Sequence, residues 1–203
     1  MIGLGGGSMA KFIYRRMEKT SVRVVEIRPE VVSAARAYFD FPPDDKRLQA
    51  IVDDGARYLP EHPESADVLL IDGFEDGLQP PALCSQDFYD AAYAALRSPG
   101  VMAVNFMAED RKLDAMCARL EKSFAGRVLL LEAADKVNVV VLCLKGGPGR
   151  VPWSALRTRA RGLRERSGLV FEGFIDSLRN RNVCTARYLT IDPVDDAGNN
   201  QAS

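Results

Sequence analysis

The chain alternates short apolar runs with longer stretches whose apolar residues recur at helical spacing. Six runs are apolar or β-branched nearly throughout: VRVVEI (22–27), LQAIV (48–52), ADVLLID (66–72), GVMAVNF (100–106), RVLLLE (127–132) and NVVVLCLK (138–145). Continuous apolar runs of this length read as strands covered on both faces. Residues 8–18, 29–39, 86–97 and 110–124 are amphipathic instead. In the third of these, Phe88, Ala91, Ala92, Ala95 and Leu96 fall on one helical face. Strands alternating with helices predict an α/β fold: a doubly wound, mostly parallel Rossmann-like sheet with crossover helices on both faces. Only AADKV separates the last two runs. That is too short for a crossover helix, so these two strands are expected to form an antiparallel C-terminal hairpin at the sheet edge.

Beyond KGGPGRVP (145–152), residues 153–167 and 171–182 follow helical patterns rich in arginine and read as a solvated helical face. The ending DPVDDAGNNQAS lacks the apolar residues needed to pack, so 193–203 are expected to form a disordered tail. Residues 1–182, with their two C-terminal helices at about 153–182, are then expected to form a single domain. A length of 203 residues, 47% of them hydrophobic and 27% charged, suits a soluble globular protein. A net charge of −1 supplies no general attraction to nucleic acid or to an acidic membrane surface. No apolar run reaches the ~18–20 residues of a membrane span, and no signal peptide is evident. Neither nucleic acid nor membrane is an expected partner. Cys84, Cys117, Cys143 and Cys184 form no CxxC pair, and the single histidine, His62, lies in the loop-like EHPES. Structural zinc, dithiol chemistry and histidine-dependent triads are therefore not expected, and a reducing cytoplasm fits all four thiols.

In doubly wound sheets, ligands bind beyond the carboxyl ends of the strands. The loop GLGGGSM follows only Met1 and Ile2, and its Gly3, Gly5, Gly6 and Gly7 allow a sharp turn and close approach of backbone to a ligand. A helix from about Ser8 would present free amides to an anionic group. Glu26 ends the next strand, about 20 residues on, where an acid accepts hydrogen bonds from both hydroxyls of an adenosine ribose. Asp53-Asp54-Gly55 follows the second of the listed runs, LQAIV. It supplies either an acceptor for an adenine amino group or an Asp-Gly turn capping the next helix. Asp72-Gly73-Phe74-Glu75-Asp76 then places three carboxylates within five residues. A carboxylate there would take a proton from an amine nucleophile or neutralise a cationic substrate.

A doubly wound sheet ending in an antiparallel strand is typical of the class I methyltransferase variant of this architecture. The succession GLGGGSM, VVEIRPEVVSAARAYF, DDGARYL, LLIDGFEDG and PPALCSQDFYDAAYAAL, over about residues 1–145, resembles the spermidine synthase (polyamine aminopropyltransferase) family. The resemblance implies that Gly3, Gly5, Gly6 and Gly7 line decarboxylated S-adenosylmethionine, that Glu26 binds its ribose, and that Asp54 and Gly55 flank its adenine. It also implies that Asp72 is catalytic, helping to deprotonate the attacking amine of putrescine, and that Glu75, with Asp76 beside it, binds that acceptor. The implied reaction is aminopropyl transfer by SN2 displacement, releasing methylthioadenosine and requiring no metal; a homodimer is implied as well. The family's Gly-Gly-Gly-Asp-Gly is here Gly5-Gly6-Gly7-Ser8-Met9, and its Asp-Ser-x-Asp-Pro is Asp72-Gly73-Phe74-Glu75-Asp76. The β-rich N-terminal segment of the family has no counterpart among these residues. Other readings of the same pocket are an S-adenosylmethionine-dependent methyltransferase, which Ser8 in place of the acid favours, and a non-catalytic nucleotide-binding relative. A nicotinamide-binding protein would place its third fingerprint glycine at Ser8.

Overall fold

A computed structural model of the chain describes residues 1–74, 79–133 and 137–193. Its contacts group into two compact units, one of Met1–Arg97 with Met102–Val104, the other of Ser98–Val101 with the described residues from Asn105 onward.

The first unit runs α1 (Ser8–Arg16), β1 (Val22–Glu26), α2 (Pro29–Tyr38), β2 (Leu48–Val52), α3 (Gly55–Tyr58), β3 (Ala66–Ile71) and α4 (Gln86–Ala95). β1 and β2 pair in parallel, from Val22 opposite Leu48 to Glu26 opposite Val52. Ile2 bridges in parallel to both Val25 and Ile71, donating its N–H to the Leu70 carbonyl at 2.8 Å and accepting from Asp72 N–H at 2.9 Å. β1, Ile2 and β3 therefore point the same way and deliver Glu26, Gly3 and Asp72 to one end. Helix starts follow local chemistry. Pro29 opens α2, where its missing N–H costs nothing, and the Ser85 hydroxyl caps α4 by accepting from Phe88 N–H at 3.1 Å. Ala10, Val22, Val24, Val32, Ala35, Phe41 and Leu48 form the apolar core of this unit. Leu48 is fully buried, so Leu48→Ala is expected to cost about 3 kcal/mol, read as a lower urea midpoint at unchanged slope.

β4 (Leu96–Met107) starts four residues earlier than its apolar run suggests, and α4 stops at Ala95 rather than 97. Pro99 accounts for both, because the residue before a proline is pushed out of the helical region.

In the second unit, β5 (Val128–Glu132) and β6 (Asn138–Lys145) form the antiparallel hairpin, with Val128 opposite Cys143 and Glu132 opposite Val139. α5 covers Leu113–Ser123 rather than 110–124, since Asp110 turns the chain ahead of it by accepting from Lys112 N–H at 2.8 Å. Two short strands, β7 (Arg150–Pro152) and β8 (Tyr188–Thr190), pair antiparallel. α6 (Trp153–Ser167) and α7 (Glu172–Arg181) expose most of their arginines but are more than a solvated face. Trp153, Ala160 and Ile175 join Leu129, Leu189 and Ile191 in a core of their own, with Trp153 Nε1 donating to the Thr185 carbonyl at 3.0 Å. Of the tail expected at 193–203, positions 194–203 lie outside the described residues. All four cysteines are free thiols. Burial raises the Cys143 thiol pKa strongly and pushes that of Cys117 up to about 11, so neither is a ready nucleophile. Among the described residues, no helix is long and apolar enough to cross a membrane.

Candidate active site

A cavity of about 430 Å³ opens in the first unit at the carboxyl ends of β1 and β3, a size suited to a small-molecule ligand. Gly3, Gly5, Glu26, Asp54, Gly55 and Asp72, all singled out in the sequence, line it. Gly3 has φ of 93°, and a Cβ there would lie 2.8 Å from the Asp72 carbonyl carbon, so only glycine lets these two backbones meet. Gly5 faces open space. Gly6 and Gly7 are not in the lining. A Cβ on Gly6 would meet the Phe39 ring at 3.2 Å and one on Gly7 the Phe41 ring at 2.5 Å. These two glycines let the loop pack on the chain that follows α2.

Glu26 is only 8% exposed, yet both of its oxygens are engaged. Oε2 accepts from Leu4 N–H at 2.9 Å and Oε1 from Arg28 N–H at 3.1 Å. The two amides lock the carboxylate between the glycine loop and the start of α2, while each oxygen keeps lone-pair capacity toward the cavity. Glu26→Gln would set an amide N–H against one of those backbone donors. We expect a loss of about 1–3 kcal/mol in stability and of at least about tenfold in nucleoside affinity, measurable by thermal unfolding and calorimetry.

Asp54 serves two ends. It caps α3, with Oδ1 accepting from Ala56 N–H at 2.9 Å, and it also borders the cavity. Its neighbour Asp53 is committed elsewhere: it accepts from Arg57 Nε at 3.0 Å, and that hydrogen bond lowers its carboxyl pKa. Asp72 stands exposed just past β3 at the cavity edge. Glu75 and Asp76 lie outside the described residues. His62 is taken up structurally, stacked on Tyr58 with ring centroids 3.8 Å apart.

Sequence reasoning missed the walls. Ile27 and Val31 on one side and Phe74, Pro80 and Leu83 on the other make the cavity largely apolar, and Arg28 borders it as a cation. Leu83 sits where a Cβ on Gly73 would come within 2.7 Å of its Cδ1. The stretch PPAL thus folds back over the segment after β3, and its proline-rich turn was the available signal. Among the described residues, no group of three or more His, Cys, Asp or Glu side chains is placed to hold a metal ion.

Parallel strands carrying a glycine loop and a buried acid at a strand end, in a chain that also holds an antiparallel C-terminal hairpin, define a class I methyltransferase-like α/β protein. Comparison with known proteins narrows this. The Spermine/spermidine synthase domain matches residues 1–125. A polyamine aminopropyltransferase of Chromobacterium violaceum is 39% identical over 191 residues, 94% of this chain and 73% of that protein. One from Neisseria meningitidis is 33% identical over 181 residues, 89% and 69% of the two chains. Human methyltransferase-like protein 13 in complex with SAH superposes with a TM-score of 0.70 at 25% identity, covering 91% of this chain and 83% of that one. A spermidine synthase in complex with the transition-state analogue AdoDATO shares the fold, with a TM-score of 0.71 at 21% identity over 87% and 64% of the chains. The chain belongs to the spermine/spermidine synthase family.

Proposed function

We propose that this protein is an aminopropyltransferase, moving the aminopropyl group of decarboxylated S-adenosylmethionine to a diamine such as putrescine and releasing methylthioadenosine. The observation that carries this reading is the convergence of Glu26, Asp54 and Asp72 on one apolar-walled cavity that Gly3 and Gly5 also line. Both substrates are cations: a sulfonium bearing an ammonium, and a diamine. Carboxylates at the cavity suit them, and the family relatives named polyamine aminopropyltransferases point the same way.

Glu26, its oxygens fixed by two backbone amides, receives the ribose hydroxyls, and Asp54 receives the adenine edge. Asp72 lies at the reacting end. The diamine nitrogen, once neutral, attacks the carbon beside the sulfonium; the new C–N bond forms as the C–S bond breaks, and the sulfur leaves as a neutral thioether. The nitrogen's surplus proton passes to Asp72 or to water. The apolar wall of Phe74, Pro80 and Leu83 limits water near the sulfonium. Glu75 and Asp76 are assigned to the distal ammonium of the acceptor. The test is incubation with decarboxylated S-adenosylmethionine and putrescine while following methylthioadenosine. Equimolar methylthioadenosine and spermidine are expected. Release of S-adenosylhomocysteine from ordinary S-adenosylmethionine, with no turnover of the decarboxylated form, would replace this reading with methyl transfer.

A further inference from the structure

The net charge of −1 conceals a local excess of the opposite sign. Between positions 150 and 187 stand nine arginines and no lysine, against the three acids Glu165, Glu172 and Asp176. No residue of this stretch enters the proposed reaction. Five of the nine arginines are on α6. At 3.6 residues per turn, Arg157, Arg161 and Arg164 fall on one flank of that helix and Arg159 and Arg166 on the other. Each flank runs about 10 Å along the axis. All five side chains are exposed. Arg164 pairs with Glu172 at 3.3 Å, and Arg166 donates from Nε to the Gly162 carbonyl at 3.1 Å. Among the described residues, the side chains of Arg157, Arg159 and Arg161 have neither an ion pair nor a hydrogen-bond acceptor.

The apolar stripe of α6 is already used. Trp153 and Ala160 are buried with Ile175 and Leu189 in the core of the second unit. Trp153 is fixed further by Arg179, whose guanidinium lies over its ring at 5.8 Å. What the helix offers a partner is therefore charge rather than hydrocarbon. Leu163, Leu169 and Val170 are exposed, but three side chains fall short of the apolar face that an interfacial helix lays into lipid. Like charges one turn apart repel, as at Arg157 and Arg161, and a partner carrying closely spaced anions relieves that cost. Arginine suits phosphate in particular, because its planar fork donates two parallel hydrogen bonds and sheds water more readily than an ammonium. A nucleic-acid duplex presents about one phosphate charge per 1.7 Å of its axis, so a flank about 10 Å long meets several of them.

We propose that the arginine-flanked face of α6 docks on the phosphate backbone of a nucleic-acid duplex, without regard to base sequence. Phosphate oxygens receive Arg157 and Arg161 on one flank and Arg159 on the other, contacts that position a duplex and carry no sequence information. Glu165, on the outer face of the same helix, opposes the contact.

The test is fluorescence anisotropy of a labelled DNA duplex of about 20 base pairs, titrated with the full chain at several salt concentrations. Three phosphate contacts predict a slope of log K against log salt of about −3, and a duplex of scrambled sequence should bind within about twofold. Arg157→Gln with Arg161→Gln should make the slope shallower by about 2 and weaken binding at least about tenfold at low salt. Lysine at both positions should keep the slope, since the charge is retained. Glu165→Gln should tighten binding. Because both arginines are exposed, the glutamine pair should move Tm by less than about 2 °C, and methylthioadenosine release should be unchanged, which separates this outcome from the proposed reaction. Arg15→Gln with Arg16→Gln makes the same charge change on α1 and should leave the slope as it was. Absence of binding at about 100 μM protein and low salt would overturn the proposal. Equal losses from the α1 pair would also overturn it, since net charge alone would then explain the binding. So would binding to vesicles of phosphatidylserine and phosphatidylcholine that Leu169→Ser with Val170→Ser abolishes, while the duplex stays unbound.

Discussion

Asp72→Asn is expected to lower kcat for methylthioadenosine release by about 10²–10³-fold while changing nucleoside affinity by less than about threefold. Asparagine keeps the shape of the side chain and removes only its charge and its capacity to take a proton. Asp72 is exposed at the mouth of the cavity, and its backbone N–H is secured by the Ile2 carbonyl at 2.9 Å. The substitution should therefore leave the fold and the ribose end intact. Paired measurements of turnover and of binding by calorimetry separate the two ends of the cavity. If turnover survives at the wild-type rate, Asp72 has no part in proton removal. If affinity and turnover fall together, Asp72 binds the nucleotide rather than acting on the amine. A raised optimum pH in the variant would mark the lost proton acceptor, since more of the diamine must then reach the cavity already neutral.

Gly3→Ala is expected to destabilise the protein by about 3 kcal/mol and to abolish measurable nucleoside binding. The methyl group would be 2.8 Å from the Asp72 carbonyl carbon, a backbone atom with no rotamer in which to retreat. To make room, either the glycine loop must lift or the chain after β3 must shift, and each movement pulls apart Gly3 and Asp72, which border the same cavity. The φ of 93° adds strain of its own for any residue with a Cβ. Gly5→Ala is the control, since Gly5 has φ of 52° but nothing within 4 Å of the added carbon. It should cost about 1–2 kcal/mol from backbone conformation alone. Denaturation curves for the two variants separate the close approach from the dihedral cost. Equal losses would mean that the loop moves away freely at Gly3.

The strands were readable because strands covered on both faces demand continuous apolar runs, and β1, β2, β3, β5 and β6 all fall within the runs read as strands. The hairpin followed from chain length alone, since the few residues between β5 and β6 span no crossover. Glu26, Asp54 and Asp72 were readable as candidates because each stands at the end of an apolar run or within two residues after it. α6 misled because arginines dominate its composition. Its buried stripe rests on few residues, Trp153 and Ala160 among them, and their partners Ile175 and Leu189 come from later in the chain. The early start of β4 was obscured because LRSP resembles the end of an amphipathic helix until the backbone constraint of Pro99 is counted.

By itself, then, the sequence determined the alternation of elements, the parallel direction of the early strands and which residues stand at strand ends. These depend on periodicity and connection length, which the local geometry of the backbone sets. Only the tertiary structure decided how the four loop glycines divide their work: Gly3 and Gly5 open the cavity, while Gly6 and Gly7 receive the rings of Phe39 and Phe41. It likewise decided that Leu4 and Arg28 amides hold both oxygens of Glu26, and that Asp53 goes to Arg57 while Asp54 reaches the cavity. The physical reason is the same in each case. A glycine's purpose or a carboxylate's free lone pair is set by which atoms approach it, and those atoms come largely from residues far apart in the chain, brought together only by packing.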